Sequence, residues 1–537
     1  MKTTATIGAV VLALSGYAPD LAFAATGSMP DKAGRVGEIV ISIDASASRH
    51  KISPLIYGAS FADPKTVSDL RLPVDRSGGN SASNYNWREN ARNAGRDWFY
   101  ESLPCDPAII SDRFGSRFAV TARNAATIPM ITIPYGGWVA RLGFQNARLS
   151  SYSIAKYGKQ KEADQWMPDA GNGESPDGSL LRNNDPFDAQ MPDDLSSERQ
   201  NVADIATILK GTPHYYLLDN EPSLWQLIHH DTHPVGAHAS EIAAYTIKTA
   251  NMIHQADPHG LVAGPEEWGW NGYRDSGYDQ QTGTHADREK QTGGLDYVPW
   301  LLSQWKKAGH PVDVFSLHYY PQGGEFSDDV SPAIEQSRNV STRDLWDRSY
   351  HNPTWINDSV ALIPRMRDMV NTYYRPGTPI AITEYSWGAE NSMNGATAQA
   401  DILGIFGREG VDMATRWTAP KEGTPVYRAM KLYRNYDDHG HGFGSISVKD
   451  DVPDPDHISS FAAIRQDGDL TIVAINKDHG DAQIALSIKG YQPRSMEIYR
   501  LDKNVISEAT NNVQVSDPAA LHDTLPGQSV SLYILHR

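Results

Sequence analysis

Short apolar runs recur between residues 54 and 420, and stretches with helical spacing separate them. The runs fall at 55–61, 72–75, 128–133, 215–219, 260–264, 312–317, 380–383 and 411–417. They are apolar almost throughout rather than at alternate positions, the pattern of strands covered on both faces. Apolar residues spaced at three and four predict helices over 197–209, 240–256, 295–308 and 359–373. Eight such strands with helices between them predict an α/β chain whose catalytic part, over 52–435, is a TIM-like (β/α)8 barrel.

The pattern changes after Tyr436. His439-Gly440-His441-Gly442 reads as a hinge, and helical spacing stops. Short β-prone runs follow at 458–464, 470–476, 482–488, 496–501 and 530–535, with a hairpin turn at Asp467-Gly468. Ile39-Val40-Ile41-Ser42-Ile43 is another strand, placed before the barrel. Residues 36–51 together with 436–537 are therefore expected to form an all-β sandwich domain. Two stretches rich in Asp, Asn, Pro and Gly, 164–194 and 322–357, are too long for connectors and are expected to be functional loops or lids.

In a (β/α)8 barrel the chemistry sits at the C-terminal ends of the strands. The fourth run ends in Asp219-Asn220-Glu221-Pro222 and the seventh in Thr383-Glu384-Tyr385. Two carboxylates delivered to one barrel mouth are the machinery of glycoside hydrolysis. Asn220 beside Glu221 suits a hydrogen bond to a sugar 2-hydroxyl. Strand six ends in His318-Tyr319-Tyr320, next to Glu384, where His318 or Tyr320 would orient a nucleophile or simply be core. Aromatic and Asn side chains recur at the same strand ends: Asn80, Trp87, Trp138, Trp268, Trp387 and Trp417. Flat rings at one end of several strands predict a cleft that stacks sugars.

Rival readings are weighed against this one. Glu266 and Glu267 end strand five and would be ligand contacts or an alternative acid. His229-His230-Asp231-Thr232-His233 lacks the His-Glu-x-x-His spacing of a helical metal site, so no catalytic metal is expected and a histidine lining the cleft is preferred. No cofactor is required; Asp328-Asp329 and the Asp-rich insertion would suit a structural calcium. Cys105, the single cysteine, is read as a packed, inert thiol, and it excludes an internal disulfide.

Composition narrows the partners. The formal net charge of -17 repels nucleic acid and anionic membranes, and a neutral polysaccharide is compatible with it. Lys2, the apolar segment 7–14 and Ala22-Phe23-Ala24 form a signal-peptide pattern over 1–24. No later stretch approaches the ~20 apolar residues of a membrane span. A secreted protein, extracellular or periplasmic and monomeric, is expected.

Taken together, the motifs resemble glycoside hydrolase family 44. They are Ser77-Gly78-Gly79-Asn80 through Tyr85-Asn86-Trp87, Asp219 to Trp225 with His233-Pro234, Gly264-Pro265 through Trp268-Gly269-Trp270, His318 to Gly323, Ser341 to Asp347, and Thr383-Glu384-Tyr385. The resemblance covers roughly residues 36 to 537. It implies a retaining endo-β-1,4-glucanase or xyloglucanase with a β-glucan partner, Glu221 as acid/base and Glu384 as nucleophile. It also implies a barrel joined to a sandwich built from both ends of the chain. Ser77, where the family usually has a bulky aromatic, and Glu266-Glu267 depart from the pattern. A non-catalytic polysaccharide-binding protein on this fold and a transglycosylase are the alternatives.

Overall fold

The computed structural model describes residues 37–515 and 521–537. The expected signal peptide, 1–24, lies outside the described residues. Eight parallel strands close into a barrel: β1 (Gly58–Ser60), β2 (Val74–Ser77), β3 (Ile128–Ile133), β4 (Tyr215–Leu218), β5 (Leu261–Glu267), β6 (Val314–Tyr319), β7 (Ile380–Tyr385) and β8 (Met413–Arg416). Each pairs with the next, and β8 pairs with β1. All eight predicted strands are present, 128–133 with both ends as predicted and the others with shifted ends. Residues 55–57, predicted as strand, lie in a 3-10 turn, Pro54–Tyr57, because Pro54 fixes φ and the Ser53 hydroxyl accepts from the Leu55 amide at 3.2 Å.

The strands read as continuously apolar because both faces are covered. Outward side chains meet the helices. Inward ones form an apolar layer of Val74, Met130, Leu217, Ala263, Val314, Ala381 and Met413, one from each of seven strands. Side chains alternate along a strand, so the residue two places on faces inward again. Those residues are Arg76, Thr132, Asp219, Pro265, Ser316, Thr383 and Thr415, all polar but Pro265. The barrel is thus apolar toward its N-terminal end and polar toward its C-terminal end.

Two further sheets pack together beside it. One holds, in order, Lys449–Asp451, Ile39–Asp44, Ala482–Lys489 and Leu521–Leu525. The other has seven strands, with Ile458–Ile464, Leu470–Asn476 and Ser529–His536 at its centre. Ile41, Ile43, Ile472, Ile484, Leu486, Tyr533 and Leu535 fill the space between the sheets. The seven-stranded sheet is covered on its second face too, where Phe461, Val473, Ile475 and Leu532 join the barrel's core. The contact is made through helix α1 (Met393–Arg408), where a Cβ at Gly404 would come within 2.0 Å of the Phe461 ring.

The 322–357 insertion, expected to be a functional loop or lid, has structure of its own. It contains the helix Pro332–Ser341, docked on α1. Arg338, fully buried, donates to the carbonyls of Glu325, Ser327, Asp329 and Trp387 and to Asn394 Oδ1. No helix among the described residues is long and apolar enough to cross a membrane.

Candidate active site

The polar end of the barrel gathers the groups that the chain delivers from strands β2, β4, β5, β6 and β7. Local backbone irregularities aim them. After β4, Asp219 and Glu221 both adopt left-handed backbone angles, φ 60° and 46°. Such conformations cost energy in non-glycine residues and are held by their surroundings. Here the Asp219 carboxylate accepts from the Tyr135 amide at 2.7 Å and the Asn220 amide at 2.8 Å. Between β6 and β7 the register slips, so that Leu317 faces Ile382 but His318 faces Glu384. A bulge of this kind re-aims side chains, and it brings Glu384 into the mouth although Thr383 before it also points inward.

One carboxylate oxygen of Glu221, one of Glu384 and a ring nitrogen of His318 all lie within 4.8 Å of one another. Each oxygen of Glu384 has its own donor: Tyr320 Oη reaches Oε1 and Arg76 Nη1 reaches Oε2, both at 2.7 Å. Arg76 Nη2 donates to Asn220 Oδ1 at 3.1 Å. Asn220 Nδ2 donates to Asn80 Oδ1, and Asn80 Nδ2 to Asp97 Oδ2, each at 3.1 Å. A chain of hydrogen bonds thus runs from Glu384 to Asp97 with every amide orientation set. Gly78 and Gly79 leave room for it. At Gly79, φ is +79° and a Cβ would come within 2.4 Å of the Trp417 indole, which in turn lies beside the Arg76 guanidinium at 5.6 Å.

His318 is fully buried between carboxylates. Its Nδ1 is 2.8 Å from Glu221 Oε1, and its Nε2 is 3.2 Å from Glu266 Oε2. Burial opposes charge on the ring, but Glu384, Glu221 and Glu266 lift the imidazole to about 9. Burial raises the Glu221 carboxyl above its ordinary range, with Glu384 adding to the rise and His318 and Arg76 working against it. The Glu221 side chain keeps 13% exposure, an opening toward solvent. Burial also pushes Asp97 up to about 6 despite its bond from Asn80, with Glu221 and Glu384 contributing.

The predicted residues divide by position. Asn80, Asn220, His318 and Tyr320 belong to the network around Glu221 and Glu384, and Trp417 abuts it while remaining partly exposed. Trp138 and Trp268 are partly exposed; Trp138 meets Phe187 edge to face, and Trp268 donates to Gln280 Oε1 at 3.3 Å. Trp87 turns away, donating to Ser197 Oγ at 3.2 Å while Arg88 covers its ring. Trp387 requires a correction. It is 3% exposed, packs on Tyr319 and donates to Ser341 Oγ at 2.9 Å, so no sugar reaches its face.

The rivals also resolve. Glu266 and Glu267 are fully buried and cannot touch a sugar. Glu267 points to the Ser223 hydroxyl at 2.5 Å, and burial pushes its carboxyl up to about 8. His229 and His230 do not line the cleft but are buried, and burial holds them down at about 3 and 4. His233 bonds to Val235 O and Glu241. Among the described residues, Glu221, His318 and Glu384 are the one trio of metal-ligating types this close together, and the Arg76 cation already bonds to one of the three; Asp328 and Asp329 join no such group. Cys105 is buried, and burial raises its thiol to about 12. Arg76 and Asp97 carry no role in the sequence reading. Their only signal is Arg76 just past run two, one residue short of the paired glycines.

The sequence model of glycoside hydrolase family 44 matches residues 91–323. The crystal structure of CelM2, a bifunctional glucanase-xylanase from a metagenome library, is 45% identical with a TM-score of 0.89, covering 93% of this chain and 99% of that one. A family 44 xyloglucanase from Paenibacillus polymyxa, solved with xyloglucan, is 27% identical with a TM-score of 0.73, covering 93% of this chain and all of that one. Endoglucanase A of Paenibacillus lautus is 29% identical over 491 residues, 83% of this chain. The chain spans 36% and 64% of the length of the two curated relatives it matches.

Proposed function

Since the chain belongs to glycoside hydrolase family 44, we propose that it is a retaining, endo-acting glycoside hydrolase that cleaves β-1,4-glucan or xyloglucan. The observation that carries this reading is the approach of Glu221 and Glu384 to within 4.8 Å at the open end of the barrel. A retaining pair sits about 5–5.5 Å apart, whereas an inverting pair leaves roughly 6.5–9.5 Å for a water.

In this reading Glu384 attacks the anomeric carbon as the glycosidic bond breaks, and Glu221 gives its proton to the departing oxygen. The Glu384–sugar ester is then cleaved by water, whose proton returns to Glu221. The raised carboxyl of Glu221 suits an acid, because it holds a proton at a pH where an ordinary carboxyl has lost it. Tyr320 and Arg76 fix the direction of attack by holding both oxygens of Glu384. Trp417, beside Arg76 and partly exposed, offers a ring for the sugar next to the cleaved bond. The glucanase-xylanase and xyloglucanase relatives support a β-linked backbone as substrate. The signal-peptide pattern over 1–24 supports export.

The test is product release from xyloglucan, carboxymethyl cellulose, lichenan, mannan and xylan, with the first-formed anomer followed by NMR. A fast fall in chain length and a β-product are expected. An α-product would overturn retention, products longer than the substrate would mark a transglycosylase, and no cleavage of any β-glucan would leave only a binding protein.

A further inference from the structure

The proposed reaction uses two carboxylates, but the barrel mouth holds a third directly beneath them. Glu266 lies at the end of β5, where the register against β6 slips between Pro265 and Glu267 and its own φ is 61°. Its Oε2 is 3.2 Å from His318 Nε2 and 3.5 Å from Arg76 Nη2, and its Oε1 accepts from the Ser316 hydroxyl. It is fully buried, so it acts only through these neighbours.

A neutral imidazole offers one donor and one acceptor nitrogen, while an imidazolium offers two donors. Both nitrogens of His318 face carboxylate oxygens: Nδ1 faces Glu221 at 2.8 Å with Glu384 Oε2 at 3.8 Å, and Nε2 faces Glu266 at 3.2 Å. Arg76 Nη2 also stands 3.3 Å from Nε2, opposing charge on the ring, but it donates to Asn220 Oδ1 at 3.1 Å and the carboxylate is the nearer group. The ring therefore fits as the cation. Two buried cations, His318 and Arg76, then balance two anions, Glu384 as nucleophile and Glu266. A third anion on Glu221 would exceed the balance. The remaining groups about this cluster are neutral: Tyr320 donates to Glu384, Tyr273 donates to the His318 carbonyl, and Asn220 Oδ1 accepts from Arg76. Asp97 stands beyond Asn80, and Glu267 turns to Ser223 on the other side of β5.

We propose that Glu266 is a positioning residue for the acid/base: it holds His318 doubly protonated, and the buried charge balance it completes leaves the transferable proton on Glu221. The inference rests on the reading of Glu221 as acid/base. It agrees with the elevated titration of His318 and Glu221 and with Glu266 held below its ordinary range, where burial is outweighed by His318, Arg76 and Ser316.

Glu266→Gln keeps the shape and removes the charge. Glu221 then gives up its proton at lower pH, so the alkaline limb of kcat/KM on xyloglucan moves down by about one unit. That is a loss of roughly tenfold beyond the limb, with little change at acid pH. A uniform fall with an unmoved limb would make Glu266 mere packing and overturn the proposal. Nitrogen-15 NMR of the His318 ring in the wild-type protein decides the matter even if the variant fails to fold. Two protonated nitrogens at neutral pH are expected, and a neutral ring overturns it. Wild-type protein that cleaves no β-glucan would sink the functional reading alone, since the ring measurement stands apart from it.

Discussion

Lys477 reaches out of the seven-stranded sheet into the barrel wall, where its ammonium lies 2.7 Å from Asp401 on α1. Both side chains are almost wholly buried, at 2% and 3% exposure. Lys477 also donates to the carbonyls of Asn339 and Pro455, and Asp401 accepts from Thr342. Lys477→Ala should leave a buried carboxylate without its counter-ion and cost about 3–5 kcal/mol of stability. Denaturant titration measures this. A loss under about 1 kcal/mol, the range of exposed pairs, would mean the pair is wetted.

The two glutamates should differ in how they fail. Glu221→Ala should lower turnover of glucan by about 10²–10⁴-fold yet retain much activity on an aryl glycoside whose leaving group needs no proton. Glu384→Ala should lose both. Azide should rescue Glu384→Ala with an α-glycosyl azide and Glu221→Ala with a β-glycosyl azide. Swapped anomers would exchange the roles.

Trp417 and Trp387 should separate binding from packing. Trp417→Ala should raise KM by roughly tenfold, the scale of one lost stacking contact, with a modest change in stability. Trp387→Ala should cost about 3–5 kcal/mol and leave KM near wild type in the protein that remains folded. A large KM effect at Trp387 would put its ring in the cleft after all.

Stability should fall on the alkaline side. His318 is lifted to about 9, Glu267 to about 8, and Asp344 and Asp450 to about 7; burial drives the three carboxyls and opposes the histidine, whose rise comes from its carboxylate neighbours. Each raised group binds its proton more tightly folded than unfolded, so the folded state carries the extra protons and loses stability as they leave. The His318 contribution is complete below its unfolded value of 6.5 and gone above about 9. Thermal midpoints measured across that window should drop, and a midpoint that rises from about pH 6 to about pH 9 would contradict these assignments.

Much of the architecture was legible because double coverage leaves a plain mark: strands such as Ile128–Ile133 are apolar at every position but Thr132. The same logic made Ile458–Ile464 and Leu470–Asn476 visible, since the barrel covers one face and the second sheet the other. The helix Pro332–Ser341 was missed because its buried residues are Glu335, Arg338, Asn339 and Ser341. A face buried by hydrogen bonds has no hydrophobic period. Glu221 and Glu384 stood out as acids closing apolar runs, but Arg76 did not. Its meaning comes from a partner 308 positions away, and an arginine at a strand end ordinarily belongs to the surface. Trp387 misled for the opposite reason, because a ring beside a strand end does not reveal which side of the wall it enters.

The strand Ile39–Asp44 lies parallel to Ala482–Lys489, which leaves the ribosome last among the pieces that flank it. At roughly 5–20 residues per second, the opening strand waits for the better part of a minute before its neighbour exists. The barrel between them can close in that interval. The finished fold is therefore clasped rather than threaded: its first described strand is locked in place by one of its last, and a chain stopped short of residue 482 leaves that strand without its parallel neighbour.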